Sequence, residues 1–233
     1  MSATLTDVAL YLRRLGHDQP PAPTLATLRA LQARHTAAFP FETLSTLLRP
    51  PVPLDLPSIE CKLLHDGRGG YCYELNRLFL ALLHTLGFDA RAIAARVLMG
   101  EAEGAVPART HLLVLATVDG ERHIVDVGFG GMVPTAPLRL DTEAVQSTPH
   151  EPYRITRHGD QYTLQDPTTQ YPKADEKWAQ QQPEPGLAAD MGAVAGEGPL
   201  AVEPEAEHRT ADAAADVRRF DRQAEVAGED GHA

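Results

Sequence analysis

The sequence predicts an α+β fold, with a helical first part followed by antiparallel strands. Three observations carry this. Apolar residues recur at helical spacing through roughly the first ninety residues. Branched apolar runs separated by turn signals then replace them, up to about residue 178. The chain of 233 residues, 43% hydrophobic, is also long enough to bury a real core.

The helical part is read element by element. LTDVALYLRRLG predicts a helix within residues 1–16 that ends at Gly16. The proline-rich HDQPPAP breaks it, and Thr24 caps a second helix, TLATLRALQARHTAAF, with Leu25, Leu28 and Leu31 on its apolar side. FPFETLSTLLRPPVPLDLP reads as mostly loop, and a short helix is expected at Ile59–His65. ELNRLFLALLHTLG is a strong helix beginning near Tyr73 and stopped by Gly87. Three strands follow in ARAIAARVLM, THLLVLATV and RHIVDVGF, the last two joined by Asp119-Gly120, a strong hairpin signal. YRITRHGDQYTLQ reads as a further hairpin around His158-Gly159-Asp160. The division expected is a helical subdomain at 1–90, a β subdomain at 91–178 and a tail at 179–233.

The net charge of −11 sits mainly in that tail, where 12 acidic residues face 4 arginines. The tail is rich in Ala, Glu, Gly and Pro, and is expected to be disordered or weakly helical. The charge argues against nucleic acid as the main partner. The longest apolar run, LFLALLHTLGF, is too short to cross a bilayer. With no export signal in MSATLTDVALYLRRLG and only two cysteines, a reducing cytoplasm is the expected compartment and a structural disulfide is not expected.

One of those cysteines, Cys72, follows the Gly69-Gly70 turn at the start of the third strong helix. Backbone N–H groups and the helix dipole favour a thiolate there, and the glycines let backbone or substrate approach closely. Cys61 reads as an ordinary residue, and two cysteines ten apart make no zinc site. A nucleophilic thiol needs a base, and the base an orienting carboxylate. Of the ten histidines, His35, His65 and His84 are expected on helix surfaces, and others in turns or the tail. The Asp119-Gly120 turn makes Val118 face Glu121, so that His111 faces Gly128 and Leu113 faces Asp126. His111 and Asp126 are then diagonal neighbours on one face, about 7–8 Å between backbones. Gly128 leaves room over the imidazole, while His123 falls on the other face. Cys72, His111 and Asp126 are therefore a candidate nucleophile–base–acid set.

RGGYCYELN, followed by THLLVLATVDGERHIVDVGFGG, resembles the arylamine N-acetyltransferases. YLRRLG, PTLATLRALQARH, FPFETL and the run from DLPSIECKLL to LGF agree, so the resemblance covers residues 8 to about 178. It implies a cysteine-protease-like core with an antiparallel β-barrel, and Cys72, His111 and Asp126 as catalytic residues. It also implies Phe41, Val97 and Phe129 as lining of the acceptor pocket, with Arg68 and Glu74 structural. Thr43 stands where the family has Asn. The implied reaction moves an acetyl group from acetyl-CoA to an aromatic amine or hydrazine, through an acetyl-cysteine, without a metal. The family's third segment, a lid that helps hold CoA, is not recognisable after Trp178. The alternatives are an amide synthase of the same fold, a cysteine hydrolase or transglutaminase with the same residue order, and a non-catalytic relative without the lid.

Overall fold

The computed structural model describes residues 4–48, 50–98, 106–159 and 161–167. The expected tail at 179–233, and Trp178 before it, lie outside them. Five helices come first: α1 (Val8–Arg14), α2 (Leu25–Ala38), α3 (Leu44–Leu47), α4 (Leu56–Glu60) and α5 (Cys72–Thr85). Local chemistry sets their ends. Asp7, Thr24 and Asp55 accept backbone N–H bonds at the starts of α1, α2 and α4. Gly87, at φ 83°, ends α5 as expected. The segment read as a helix from Ile59 starts earlier, at Leu56, because Asp55 caps it, and α4 then widens into a π-helical turn, Cys61–His65. The loop after Phe41 also contains the short α3.

Seven strands follow: β1 (Asp89–Ala95), β2 (His111–Val118), β3 (Glu121–Val125), β4 (Leu138–Arg139), β5 (Gln146–Ser147), β6 (Pro152–His158) and β7 (Gln161–Gln165). Both hairpins occur where turn chemistry placed them. Asp119 and Gly120 take φ 53° and 78°, a pair of left-handed residues suited to a two-residue turn. Val118 pairs with Glu121, and the ladder continues to Val114–Val125 in the counted register.

Among the described residues the expected β-barrel is not closed. The described strands make two open antiparallel sheets, ordered β1-β2-β3-β4 and β5-β6-β7. β3 stops at Val125, where the chain turns away toward α5, and it meets β4 over only two residue pairs. Too little ladder is left to carry the first sheet round to closure.

Helix α5 is the central pillar. Its Leu75, Leu78, Phe79, Leu82 and Leu83 are fully buried, in one core with α1, α2, α4 and the near side of β2 and β3. A second core lies between the two sheets, around Leu113, Leu115, Ile124, Tyr153 and Tyr162. Among the described residues, no helix is long and apolar enough to cross a membrane.

His35 corrects an expectation. It is fully buried on α2, its Nδ1 2.6 Å from the Tyr11 hydroxyl, and it packs on Phe39 and Phe79. Burial lowers its pKa to about 3, so the ring is neutral.

Candidate functional site

The site forms where the start of α5 meets the end of the β2–β3 hairpin. Cys72 is the first residue of α5, one position earlier than expected, with Tyr71 as the cap. Glu74 accepts the Tyr71 N–H at 3.1 Å, and Leu75 N donates to the Tyr71 carbonyl at 3.0 Å. The glycine turn before the helix serves backbone contact. A Cβ on Gly69 would stand 2.1 Å from the Pro40 carbonyl oxygen, so only glycine lets these segments meet. Phe41 and Gly70 then pair as a parallel bridge.

His111 opens β2 and pairs with Ala95 of β1. Its Nε2 lies 2.6 Å from Asp126 Oδ2, and Cys72 is near enough to the ring to help raise its pKa. With Nε2 engaged by the carboxylate, Nδ1 is the ring nitrogen left for the sulfur. Cys72 Sγ is also 3.7 Å from the Thr110 carbonyl oxygen. Exposure is graded across the three: 8% for Cys72, 3% for His111 and 0% for Asp126.

The register argument brought His111 and Asp126 together for nearly the right reason. The ladder ends at Val114–Val125, so Leu113–Asp126 and His111–Gly128 are not paired. Asp126 reaches His111 from the turn just beyond β3. Gly128 does not make room over the imidazole as expected. A Cβ there would stand 2.8 Å from both Cys72 Cα and Asn76 Nδ2, so the glycine lets this turn close on α5.

Asn76 is a candidate site residue whose contacts the sequence reading passed over. Four residues after Cys72, it lies on the same face of α5. It is fully buried, and its Nδ2 donates to Asp126 Oδ1 at 2.9 Å and to the Leu112 carbonyl at 2.8 Å. Its Oδ1 accepts the Val127 N–H at 3.1 Å. A polar amide on the apolar face of a strong helix, one turn after the thiol, was the available signal. Gln32 of α2 adds a second hold, donating to the carbonyls of Asp126 at 3.1 Å and Pro134 at 2.6 Å.

These contacts set the charges. Burial opposes ionisation of Asp126. The His111 charge and hydrogen bonds from His111, Asn76 and Gly128 outweigh it and hold the carboxyl below its ordinary value. Burial likewise pulls His111 down, but the charge and hydrogen bond of Asp126, with smaller contributions from Cys72, carry it up to about 10. At neutral pH the pair is imidazolium and carboxylate, with the sulfur on the cation's open side.

Of the three expected pocket residues, Phe129 sets its ring edge-on to His111, centroids 5.0 Å apart at 83°. Phe41 is 44% exposed, and a Cβ on Gly130 would stand 3.3 Å from its ring. The geometry thus puts one ring beside the imidazole and the other over the turn that follows Phe129. Val97 lies half-buried, two residues past the Ala95–His111 pair. Among the described residues, no group of acidic, His and Cys side chains is arranged to hold a metal.

The N-acetyltransferase family pattern matches residues 24–179. An arylamine N-acetyltransferase from Mycolicibacterium smegmatis is 46% identical over 162 residues, 68% of this chain and 59% of that protein. The chain thus spans a little under three fifths of that relative's length. The solved arylamine N-acetyltransferase from Salmonella typhimurium superposes with a TM-score of 0.72 at 34% identity, covering 90% of this chain and 69% of that one. The Mycobacterium marinum enzyme, solved in complex with CoA, superposes at 0.65 with 43% identity, over 69% and 60% of the two chains. With the matched region including α2 through β7 and the whole Cys72 turn, the chain belongs to the arylamine N-acetyltransferase family.

Proposed function

We propose that this protein transfers an acetyl group from acetyl-CoA to an aromatic amine or hydrazine by way of acetyl-Cys72. The observation that carries the reading is the line Cys72–His111–Asp126, with its 2.6 Å His–Asp contact and the sulfur on the outer end. Cys72, His111 and Asp126 are the catalytic residues, and Phe41, Val97 and Phe129 line the acceptor site. Kinship with a family member solved with CoA supports CoA as the carrier.

In the first half-reaction, the Cys72 thiolate beside the His111 imidazolium attacks the thioester carbon of acetyl-CoA. The carbonyl oxygen takes up negative charge. The Cys72 backbone N–H, in the first turn of α5 with no helical carbonyl before it, is a donor for that charge. Collapse breaks the carbon–sulfur bond to CoA, and the departing thiolate takes the proton of His111. Acetyl-Cys72, free CoA and neutral His111 remain. In the second half, the amine attacks the acetyl carbon while His111 takes its proton. The Cys72 thiolate leaves, and the acetylated amine and the original ion pair result. Asp126 holds the ring in one orientation throughout and stabilises its charged form. Phe129 and Phe41 favour a flat aromatic acceptor by stacking.

Initial rates test this directly. Varying acetyl-CoA at several concentrations of an aniline should give parallel double-reciprocal lines, because CoA leaves before the amine reacts. Intersecting lines would point to direct transfer and remove the acetyl-enzyme. Transfer only to an amine tethered to the acyl chain itself would identify an amide synthase instead.

A further inference from the structure

The backbone between α4 and α5 holds a rare feature. At Cys61–His65 the helix widens to a π turn, and Asp66 N donates to the Cys61 carbonyl at 2.9 Å. Such turns are rare and occur frequently at functional sites. Here the widened turn leaves Cys61 exposed and points Lys62 inward, its side chain 15% exposed. Lys62 Nζ lies 2.7 and 2.9 Å from the two oxygens of Glu74, a carboxylate only 2% exposed. The same nitrogen is 3.4 Å from Glu42 Oε1, on the loop that carries Phe41. Glu74 in turn takes the Tyr71 N–H next to Cys72. The Phe41 loop is pinned to the same turn by Glu42 N on the Gly70 carbonyl, at 3.0 Å.

Three ion pairs join these segments, Lys62–Glu74, Lys62–Glu42 and Arg68–Glu42, and they differ in strength. Arg68–Glu42, 2.8 Å, involves an arginine that is 43% exposed, where an ion pair contributes little. Lys62–Glu74 is enclosed, and loss of its cation would strand a buried carboxylate. That carboxylate would have to turn toward water, releasing the Tyr71 N–H and loosening the first turn of α5.

We propose that Lys62 is a positioning residue for both halves of the reaction. It clamps Glu74 onto the Tyr71 amide, which fixes Cys72, and it ties that turn through Glu42 to the Phe41 side of the acceptor site. The proposal rests on Cys72 being the nucleophile, and its test separates the two ideas. In a Cys61→Ser background, Cys72 is the sole thiol in the chain. Its second-order rate with iodoacetamide at pH 7, the acceptor KM and the melting temperature are measured for that protein and for Lys62→Met and Lys62→Arg. Lys62→Met is expected to alkylate about tenfold more slowly and to raise acceptor KM several-fold, with Lys62→Arg recovering most of both. If Lys62→Met does not fold, Lys62→Gln gives the same readouts. A lower melting temperature with unchanged alkylation rate and KM overturns the proposal, leaving Lys62 a purely structural residue. A parent protein whose Cys72 reacts no faster than free cysteine would instead overturn the nucleophile reading, whatever Lys62 does.

Discussion

Replacing Asn76 with Ala removes three buried hydrogen bonds at once. The Leu112 carbonyl and the Val127 N–H lose their Asn76 partners, and the Asp126 carboxylate keeps, among the described residues, Gly128 N and His111. Leaving two buried backbone groups unpaired costs about 1–3 kcal/mol each. Partial relaxation brings the expected loss to about 2–5 kcal/mol, which is a large part of the ~5–15 kcal/mol that holds a domain together. At about 2–4 °C per kcal/mol for a chain of this size, the melting temperature should fall by roughly 4–20 °C. Asp126 should also lose its fixed plane, and with it the alignment of His111. We expect kcat to fall about 10- to 100-fold, the range associated with lost orientation. Acceptor KM should barely change, because Asn76 is fully buried and does not reach the acceptor. Asn76→Asp should do worse, since it sets a second carboxylate about 2.9 Å from Asp126 Oδ1. Urea unfolding followed by circular dichroism gives the stability, and single-turnover release of CoA gives the rate. If Asn76→Ala unfolds within about 0.5 kcal/mol of wild type and acylates within twofold, Asn76 does not position Asp126 and the reasoning fails.

Other perturbations have equally definite outcomes. Gly128→Ala drives a methyl group toward Cys72 Cα and Asn76 Nδ2, so it should cost about 1–3 kcal/mol and slow acylation; wild-type rates would show that the turn need not touch α5. His35 has a folded pKa of about 3, below its unfolded value near 6.5. Its neutral ring therefore stabilises the fold fully above pH ~6.5, and that stability erodes by about 1.4 kcal/mol per unit as pH falls toward 3. His35→Gln should remove this slope from acid denaturation curves, and an unchanged slope would contradict it. His111 behaves oppositely. Its folded pKa of about 10 lies above the unfolded value, so its contribution is complete below pH ~6.5 and is lost as pH rises through about 10. Melting temperatures of wild type and His111→Gln should therefore converge at high pH. Glu60→Gln weakens a buried acceptor of Thr6 N, Thr6 Oγ1 and Asp7 N, and should free the chain before α1 to faster hydrogen exchange.

Most of the site was legible because its parts are local. Asp119-Gly120 fixed the β2–β3 register through turn chemistry alone, and counting from it brought His111 beside Asp126. Cys72 announced itself by standing between a glycine turn and a helix. What escaped depends on partners distant in the chain. The spacing of Leu28, Leu31 and His35 already puts His35 on the buried face of α2. The Tyr11 hydroxyl that satisfies it there comes from 24 residues away and could not be counted. The use of Gly128 is similar, since its close neighbours belong to α5. Barrel closure is not seen among the described residues, because it depends on how far β3 follows β4, and β3 meets β4 over only two residue pairs. The π turn at Cys61–His65 has no sequence pattern that separates it from an ordinary helix end.

The most direct test is the chemical state of Cys72 after contact with the donor. The protein is mixed with acetyl-CoA, quenched in acid, digested and mapped by mass, and a second sample receives an aromatic amine before quenching. The account predicts one acetyl group on the peptide containing Cys72, lost on addition of the amine as the acetylated amine appears. An acetyl group found only on Cys61, or a Cys72→Ala protein that transfers acetyl groups at the wild-type rate, would contradict it.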